Sequence, residues 1–440
     1  MSRKLDVLLE GNLAGNLSMD RHGALTFEYT DQYMNNPDTT PLSVSIPKPI
    51  KRHTDKKIRP WLRGLLPDNP EILKRWAQIF QVSAQSPFAI LEHVGSDVAG
   101  AVRFLRASEI GEPKSGYQAI SASEMEKTVD ELAATPTQWS AGRAVGYFSL
   151  AGAQAKIALH RTANGWSKPY GSAPSTHILK PTIPDLAHQA IGEHLSLSAG
   201  LLVGLDVARS GIEHIGQHTV LVIERYDRTF IAGELRRIHQ EDLCQALGLP
   251  PESKYQVDNG PSPEAISKLL RKELPIDKCE DAIRDFISAL AYAWAIGNTD
   301  AHAKNYSLLL SGSQVRLAPL YDLNTTLPYI VSERRNVPEG SISRYNAEMA
   351  MSIYKEKRMY EIAGKDWRQL AVQIRIEADE LISIVDDVLK RVPSAWQQAV
   401  SSLTNANKAE TTWAEKTIKL ISSHCSLMRA SLTRTTKTRH

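Results

Sequence analysis

The sequence has few cysteines and no long apolar run. Its three cysteines, Cys244, Cys279 and Cys425, lie far apart and form neither a metal-binding CxxC pair nor a disulfide framework. The longest apolar stretch, residues 287–297, is much shorter than the roughly 20 residues that span a bilayer. The N-terminal segment meets acidic residues too early to be a signal peptide. We therefore expect a cytoplasmic protein without a membrane segment.

An excess of charge of one sign is also missing. Lys plus Arg number 52 and Asp plus Glu number 49, a net charge of +3 over 440 residues. This balance excludes a histone-like, polybasic nucleic-acid binder. The proportions of hydrophobic residues (42%) and charged residues (23%) are those of a globular protein, which excludes collagen and wholesale disorder. The length favours two domains, or one large domain with an appendage.

The first part of the chain is predicted to be rich in short strands. Residues 5–9, 24–29 and 41–47 have the composition of extended segments, and residues 121–134 begin with a capping box that is typical of a helix. A polar segment interrupted by proline and glycine, residues 135–143, indicates a domain boundary near residue 140.

After residue 140 the pattern predicts a strand-rich lobe and then a helical one. The expected strands are 147–150, 156–160, 176–179 and 219–223, and a helix is expected at 186–202. From about residue 236 the chain is predicted to be mostly helical. The predicted domains are an N-terminal domain, a strand-rich lobe and a helical lobe, at residues 1–139, 140–235 and 236–440.

The segment GNTDAHAKNY, residues 297–306, carries the most informative chemistry. It follows a predicted helix whose apolar residues are spaced for one buried face: Ile283, Phe286, Ile287, Leu290 and Trp294. Asp300 and Asn305 have the spacing of a protein-kinase catalytic loop, in which Asp orients the substrate hydroxyl and Asn binds Mg²⁺. His302 and Lys304 between them can interact with phosphate. Because this spacing arises by chance about once in such a chain, a capping Asp and a turn Asn are the alternative.

A second carboxylate and a Lys–Glu combination extend the kinase pattern. Residues 317–324 are predicted to form a short buried strand that ends at Asp322, where kinases place a Mg²⁺-binding Asp. Lys180 ends an apolar strand from which it can reach the ATP phosphates, and Glu193 on the next helix is its expected ion-pair partner. A turn Asp, a solvated Lys and a helix-surface Glu are the alternatives.

Two connecting segments complete the order of features found in kinases. The small-residue loop 149–156 can bring backbone N–H groups to phosphate, although its single glycine matches neither GxGxxG nor Walker A, and a tight hairpin is the alternative. Residues 224–226 follow a strand, as a kinase hinge that binds adenine does; a buried salt bridge among Glu224, Asp227 and Arg228 is the alternative. Together these features favour phosphoryl transfer.

Over essentially its whole length, the sequence resembles the HipA family, the serine/threonine-kinase toxins of bacterial HipBA toxin–antitoxin modules. The segments that carry the resemblance are FSLAGAQAKIAL (148–159), STHILKP (175–181), VIERYDR (222–228), QEDLCQALG (240–248), GNTDAHAKN (297–305), LAPLYDL (317–323), RGLLPDNP (63–70) and GSDVAGAV (95–102). The resemblance implies an α+β, bilobal fold like that of protein kinases and phosphoinositide kinases. A small N-terminal α/β domain would precede it, and the C-terminal lobe would be mostly helical.

The resemblance also implies roles for individual residues. Asp300 would be the catalytic base, Asn305 and Asp322 would bind Mg²⁺, and Lys180 would bind ATP phosphate. Ser149 matches a regulatory serine whose autophosphorylation displaces the phosphate loop and silences the kinase. The expected ATP-binding residues are Ala151, Gly152, Ala153, Gln154, Ala155, Lys156, Lys180, Glu224, Arg225, Tyr226, His302, Ala303, Lys304, Asn305, Tyr321 and Asp322. The sequence departs from the family pattern at Ala155, where an acidic residue is known, and at Asn324, where apolar residues are common.

The implied partners are a HipB-like helix-turn-helix antitoxin, operator DNA reached through the antitoxin complex, and an aminoacyl-tRNA synthetase as substrate. Glutamyl-tRNA synthetase is the best-known target. The protein would be nucleoid-associated when it is in the DNA complex. One group of basic residues can contact the DNA phosphate backbone, and for most of its members a solvated charged face is the alternative. The group consists of Arg334, Arg335, Lys355, Lys357, Arg358, Lys365 and Arg368. A catalytically silent corepressor and a small-molecule phosphotransferase are the other candidate functions.

Overall fold

The computed structural model describes residues 3–106, 115–134, 152, 154–183, 186 and 188–433. The strands of the described chain are β1 Arg3–Leu9, β2 Asn12–Met19, β3 Leu25–Tyr29, β4 Arg52–Thr54, β5 Val102–Leu105, β6 Gly116–Ala119, β7 Ile157–Thr162, β8 Gly165–Tyr170, β9 His177–Pro181, β10 Ser210–Ile215, β11 His218–Glu224, β12 Arg228–Ile231, β13 Glu234–Arg237, β14 His239–Asp242, β15 Ser307–Ser311, β16 Gln314–Leu317, β17 Ile330–Val331, β18 Ile342–Ser343, β19 Glu348–Ile353 and β20 Glu356–Arg358.

The helices of the described chain are α1 Asp31–Asn35, α2 Asp55–Gly64, α3 Pro70–Phe80, α4 Pro87–Val94, α5 Ala122–Ala134, α6 Gln189–Val203, α7 Leu243–Leu247, α8 Pro263–Glu273, α9 Ile276–Ala295, α10 Gly364–Ile374, α11 Ala378–Ser401 and α12 Lys408–Leu432. None of these helices is both long enough and apolar enough to cross a membrane. The structure has the mixed α and β composition expected from the sequence.

The chain divides into two compact units. The first unit comprises Met1–Pro181, His214–Pro251 and Ser307–Ala318, and the second comprises Thr182–Glu213, Glu252–Tyr306 and Pro319–His440. The division into domains at residues 139 and 235 stays a prediction. The predicted boundary near residue 140 and the predicted strand 147–150 lie outside the described residues.

The first unit contains a five-stranded antiparallel sheet of order β4-β3-β2-β1-β5. Leu5, Val7 and Leu9 alternate onto a buried face of this sheet, as a half-buried strand requires. The predicted strands at 5–9 and 24–29 are thereby confirmed. The predicted extended segment at 41–47 is wrong, because the N–H of Ile46 donates to the carbonyl of Ser43 (3.0 Å) and closes a turn.

A second sheet in the same unit has the order β10-β11-β9-β7-β8-β6. Strand β9 lies between β11 and β7, so its backbone is hydrogen-bonded on both sides. The strands predicted at 156–160, 176–179 and 219–223 correspond to β7, β9 and β11. This sheet fixes the position of Lys180, which is paired with Leu221 on β11.

The second unit is built mainly from helices. Helix α11 packs against α6, α9 and α12, and the side chains of Trp294, Trp367 and Trp396 are completely buried. The face of α9 predicted from apolar spacing is buried at every expected position: Ile283, Phe286, Ile287, Leu290 and Trp294. The C-terminal part is mostly helical, as predicted, and short strands are inserted between its helices.

Candidate active site

The end of helix α9 directs the chain into the predicted catalytic loop. Gly297 has a φ of +63°, and a Cβ atom built on it would lie 2.5 Å from Cδ2 of Leu327. Only glycine fits this position without displacing its neighbour. The N–H of Asn298 donates to the carbonyl of Ala293 (2.8 Å), which closes the end of the helix. The loop therefore starts from a buried and rigid support.

Three hydrogen bonds fix the main chain around Asp300. Its N–H donates to Oδ1 of Asn298 (3.1 Å), and its carbonyl accepts from the N–H of His302 (2.8 Å) and from Nδ2 of Asn305 (2.9 Å). Asp300 itself is exposed, whereas His302 and Asn305 are buried. Because the Asn305 amide nitrogen is bound to the Asp300 carbonyl, its oxygen is the atom that can serve a cation.

Tyr255 contacts this loop, and sequence reasoning missed it. Its hydroxyl donates to Oδ1 of Asp300 at 2.5 Å, and its ring packs edge-on against the His302 imidazole, with 5.0 Å between centroids. Tyr255 is far from Asp300 in the sequence and belongs to no recognisable motif. No pattern in the sequence pointed to it.

The segment that carries Asp322 is hydrogen-bonded to the catalytic loop on both sides of this residue. The Tyr321 hydroxyl donates to the carbonyl of Lys304 (2.6 Å), and Oγ1 of Thr326 donates to the carbonyl of Gly297 (2.5 Å). These bonds bring the predicted Mg²⁺ ligand Asp322 to the segment that contains Asp300 and Asn305.

Residues 317–324 do not form the predicted strand. Strand β16 ends at Leu317, and Asp322 has a φ of +56°, in the left-handed region. A continuous strand cannot contain such a residue. Non-glycine residues in this conformation often occur at functional sites, where the surrounding structure holds them.

The donor set of Asn305 and Asp322 fits Mg²⁺. Both supply hard oxygen atoms, and Mg²⁺ in kinases commonly uses one or two such ligands together with water and substrate phosphates. Within the described ranges, no group of three or more His, Cys, Asp or Glu side chains is arranged to hold a metal ion.

Lys180 and Glu193 are both buried, so the alternatives of a solvated Lys and a helix-surface Glu are wrong. Glu193 accepts a hydrogen bond from Nε2 of Gln189 (3.2 Å) within α6. A Cβ atom on the adjacent Gly192 would lie 2.8 Å from Oδ1 of Asn324, so α6 packs closely against the residues after Asp322. The pairing of Lys180 with Glu193 stays a prediction.

The described part of the phosphate loop is compact. Gly152 has a φ of +109°, and a Cβ atom on it would lie 2.6 Å from Nζ of Lys156, so the lysine ammonium lies against the loop backbone. Nε2 of Gln154 donates to the carbonyl of Pro181 (3.1 Å), which attaches the loop to the end of β9 beside Lys180. The predicted site residues Ser149, Ala151 and Ala153 lie outside the described residues.

The segment predicted to be the hinge contains a buried ion cluster. The Arg225 guanidinium contacts Asp227 (2.8 Å), and the Arg228 guanidinium contacts Asp97 (2.9 Å). Arg237 also reaches Asp97, at 3.2 Å. The alternative of a buried salt bridge is thus confirmed for two of its three predicted members. Glu224 is exposed and does not belong to the cluster.

The ion cluster changes the electrostatics of its acidic members. Burial alone would raise the pKa of Asp97, but Arg225, Arg228 and Arg237 hold it well below its usual range. Burial likewise opposes ionisation of Asp227, yet the same neighbours Arg225 and Arg228 lower its pKa to about 2. The backbone N–H of Arg225 donates to the carbonyl of Thr176 (2.9 Å), so this group is engaged within the fold.

Most of the basic residues considered for DNA contact interact with their neighbours. Lys357, Arg358 and Arg368 form ion pairs with Glu348, Glu356 and Asp379, respectively. Arg334 lies 4.3 Å from the centroid of the Tyr345 ring, and Lys355 lies 5.1 Å from that of Tyr354. These contacts favour the alternative of a charged face whose groups are already partly satisfied.

Comparisons with known proteins agree over nearly the whole chain. Residues 5–105 match the HipA N-terminal domain, and residues 148–396 match the HipA-like C-terminal domain. Y4mE of Sinorhizobium fredii, whose name classes it among kinases, is 33% identical over 89% of this chain and 91% of its own length. The serine/threonine-protein kinase toxin HipA of Shewanella oneidensis is 27% identical over 92% of this chain and 91% of its own length.

A solved structure is similar over a still larger share of the chain. In the complex of Shewanella oneidensis HipA with HipB and operator DNA, the matching chain superimposes with a TM-score of 0.82 and 25% identity. The match covers 97% of this chain and 98% of that chain. The fold and the sequence therefore point to the same relatives.

Proposed function

Because this chain belongs to the HipA family and is a serine/threonine-protein kinase, we propose that it is the toxin of a type II toxin–antitoxin pair. It transfers the γ-phosphate of ATP to a serine of an aminoacyl-tRNA synthetase, with glutamyl-tRNA synthetase as the first candidate, and to itself. Loss of tRNA charging then stops translation and leads to growth arrest and persistence.

Asp300 is the residue that orients the acceptor hydroxyl toward the γ-phosphate and receives its proton. Lys180 and Lys156 bind the ATP phosphates, and Asn305 with Asp322 holds Mg²⁺. The metal ion, when bound, neutralises charge on the β- and γ-phosphates. The remaining work is positioning and electrostatic stabilisation, in which a rigid loop avoids the cost of reorganisation during the reaction.

The observation that carries this proposal is the attachment of the Asp322 segment to the catalytic loop. Hydrogen bonds from Tyr321 to Lys304 and from Thr326 to Gly297 hold the two segments together. A chance Asp-x4-Asn sequence has no reason to be joined to a second carboxylate in this way. This arrangement supports a shared role for the three side chains in phosphoryl transfer.

Regulation and partners follow from the same family relationship. We propose that phosphorylation of Ser149 silences the kinase, since a phosphoserine beside the phosphate loop would repel the ATP phosphates. The complex formed by the Shewanella oneidensis relative supports a HipB-like antitoxin and operator DNA as partners. We expect the free kinase to act in the cytoplasm and the antitoxin complex to lie on the nucleoid.

Phosphate transfer from γ-labelled Mg-ATP into a lysate of the host tests the proposal. The intact protein is compared with Asp300→Asn, and the labelled proteins are identified by mass spectrometry. We expect a labelled aminoacyl-tRNA synthetase with the intact protein and none with the variant. Equal labelling by the two proteins would contradict the role of Asp300. Absence of all transfer by folded, unphosphorylated protein would favour a silent corepressor.

A further inference from the structure

We propose that Tyr255 is a positioning residue for phosphoryl transfer that acts through the carboxylate of Asp300. This inference rests on the proposed function, because it takes Asp300 as the group that orients the acceptor hydroxyl. The Tyr255 hydroxyl donates to Oδ1 of Asp300 at 2.5 Å.

The main chain and the carboxylate of Asp300 are fixed by different partners. Asn298, His302 and Asn305 hold the backbone N–H and carbonyl but leave the side-chain torsions undetermined. An exposed Asp side chain samples several rotamers. A short, charge-assisted hydrogen bond from Tyr255 to Oδ1 selects one of them and leaves Oδ2 for the acceptor hydroxyl.

Tyr255 is itself held in place by its own turn. Its carbonyl accepts from the N–H groups of Asp258 and Gly260, each at 2.9 Å. A Cβ atom on Gly260 would lie 2.6 Å from this carbonyl oxygen, so the turn is tightly closed. The ring also packs edge-on against His302. These contacts restrict both the backbone and the ring of the tyrosine.

The turn is attached to the rest of the second unit by the neighbouring side chain. Oε1 of Gln256 accepts hydrogen bonds from the N–H (2.8 Å) and from Oγ (3.0 Å) of Ser352 on β19. If the Tyr255 hydroxyl only occupied the position of the acceptor hydroxyl on Asp300, it would have to move away before each reaction. The anchored turn instead favours a hydroxyl that stays on Asp300 during the reaction, so its removal is expected to slow transfer.

Tyr255→Phe tests the inference because it removes the hydroxyl and keeps the ring against His302. The full-length chain is assayed with γ-labelled Mg-ATP and the host protein that the lysate experiment identifies, purified as acceptor. We expect kcat to fall about tenfold with the KM for ATP unchanged. Tyr345→Phe is the matched control, since Tyr345 is an exposed tyrosine that contacts Arg334. An unchanged or increased kcat in Tyr255→Phe would overturn the inference.

The Asp300→Asn background separates positioning from a purely structural effect. If Tyr255 acts through the carboxylate, adding Tyr255→Phe to Asp300→Asn causes no further loss of kcat. A further tenfold loss would contradict the inference while leaving the role of Asp300 intact.

If the wild-type protein transfers no phosphate, the proposed function has failed. A stability measurement still tests the coupling between Tyr255 and Asp300 in that case. We expect Tyr255→Phe to lower Tm by about 1–3 °C in the wild-type background and not in Asp300→Ala. Equal Tm shifts in the two backgrounds would show that the hydroxyl and the carboxylate are not coupled and would overturn the inference.

Discussion

The two units use acidic side chains in opposite ways. In the first unit, the side chains of Asp97 and Asp227 are only 7% and 3% exposed, and buried arginines neutralise both. In the second unit, Asp300 is exposed and its carboxylate accepts a hydrogen bond from the hydroxyl of Tyr255.

The difference shows what separates a structural charge from one that can do chemistry. A buried carboxylate loses its hydration, so it is tolerated only when neighbouring cations and donors compensate for the loss. Once compensated, it has little capacity left for a ligand. In the proposed catalytic loop, the N–H and carbonyl of Asp300 are held by Asn298, His302 and Asn305, and its exposed carboxylate keeps acceptor capacity.

Among the predictions for the second unit, Asp322→Asn should have the largest effect on phosphoryl transfer. We expect phosphoryl transfer to fall about a thousandfold, because the amide does not supply the negative charge that the proposed Mg²⁺ site requires. Asn tolerates the left-handed backbone of Asp322, so the fold should be retained. The transfer rate and Tm are measured beside Asp277→Asn, a change at the exposed start of α9. Transfer at the wild-type rate would exclude Asp322 as a metal ligand.

Among the predictions for the first unit, Arg225→Ala should have the largest effect on the free energy of unfolding. It removes the buried guanidinium that contacts both Asp97 and Asp227, and the loss of one partner from a buried ion pair costs about 3–5 kcal/mol in the free energy of unfolding. The urea midpoint of the first unit is therefore expected to fall sharply. Arg236→Ala, which disrupts the exposed ion pair with Glu234, is the matched control. Similar midpoints for the two variants would mean that the buried cluster contributes little.

Acid should weaken the first unit through the same cluster. The pKa values of Asp97 and Asp227 are lowered in the folded state, so the stability that they contribute is present above about pH 4 and is lost as the pH falls toward 2. For Asp227 alone, the lowering from 3.8 to about 2 corresponds to about 2 kcal/mol. Thermal unfolding between pH 5 and pH 2.5 measures the loss. A Tm independent of pH over this interval would contradict the buried ionised pairs.

The exposed ion pair of Arg368 and Asp379 should give the smallest effect. Their atoms approach to 2.6 Å, but both side chains are largely exposed, and such pairs are screened by water and salt. We expect Arg368→Ala to change the free energy of unfolding by less than about 0.5 kcal/mol, measured by urea unfolding. A loss as large as that of Arg225→Ala would remove the distinction between buried and exposed pairs.

The sequence predicted the elements whose evidence is local. The apolar face of α9 and the strands around Lys180 follow from periodicity, and the loop that starts at Gly297 follows from its polar composition after an apolar helix. The prediction that Asp300 and Asn305 are catalytic residues came from their spacing and from the order of the features around them. Each of these patterns lies within a short segment of the chain.

Features that depend on distant partners could not be predicted in the same way. Asp97 joins the cluster of Arg225 and Arg228 although well over a hundred residues separate them. Tyr255 reaches Asp300 only because its turn is attached to β19 through Gln256. The backbone at Asp322 is not extended, although the apolar pattern of the segment favoured a strand. Hydrogen bonds from its neighbours Tyr321 and Thr326 to the loop that starts at Gly297 outweigh that local preference.

The central claim is that Asp300 does chemistry and contributes little to the stability of the fold, and one variant tests it directly. Phosphate transfer from γ-labelled Mg-ATP and thermal unfolding are measured on the same preparation of Asp300→Asn. We expect transfer to fall at least about a hundredfold, while Tm stays within about 1 °C of the wild-type value. Wild-type transfer by the variant, or a loss of transfer that accompanies unfolding, would contradict the account.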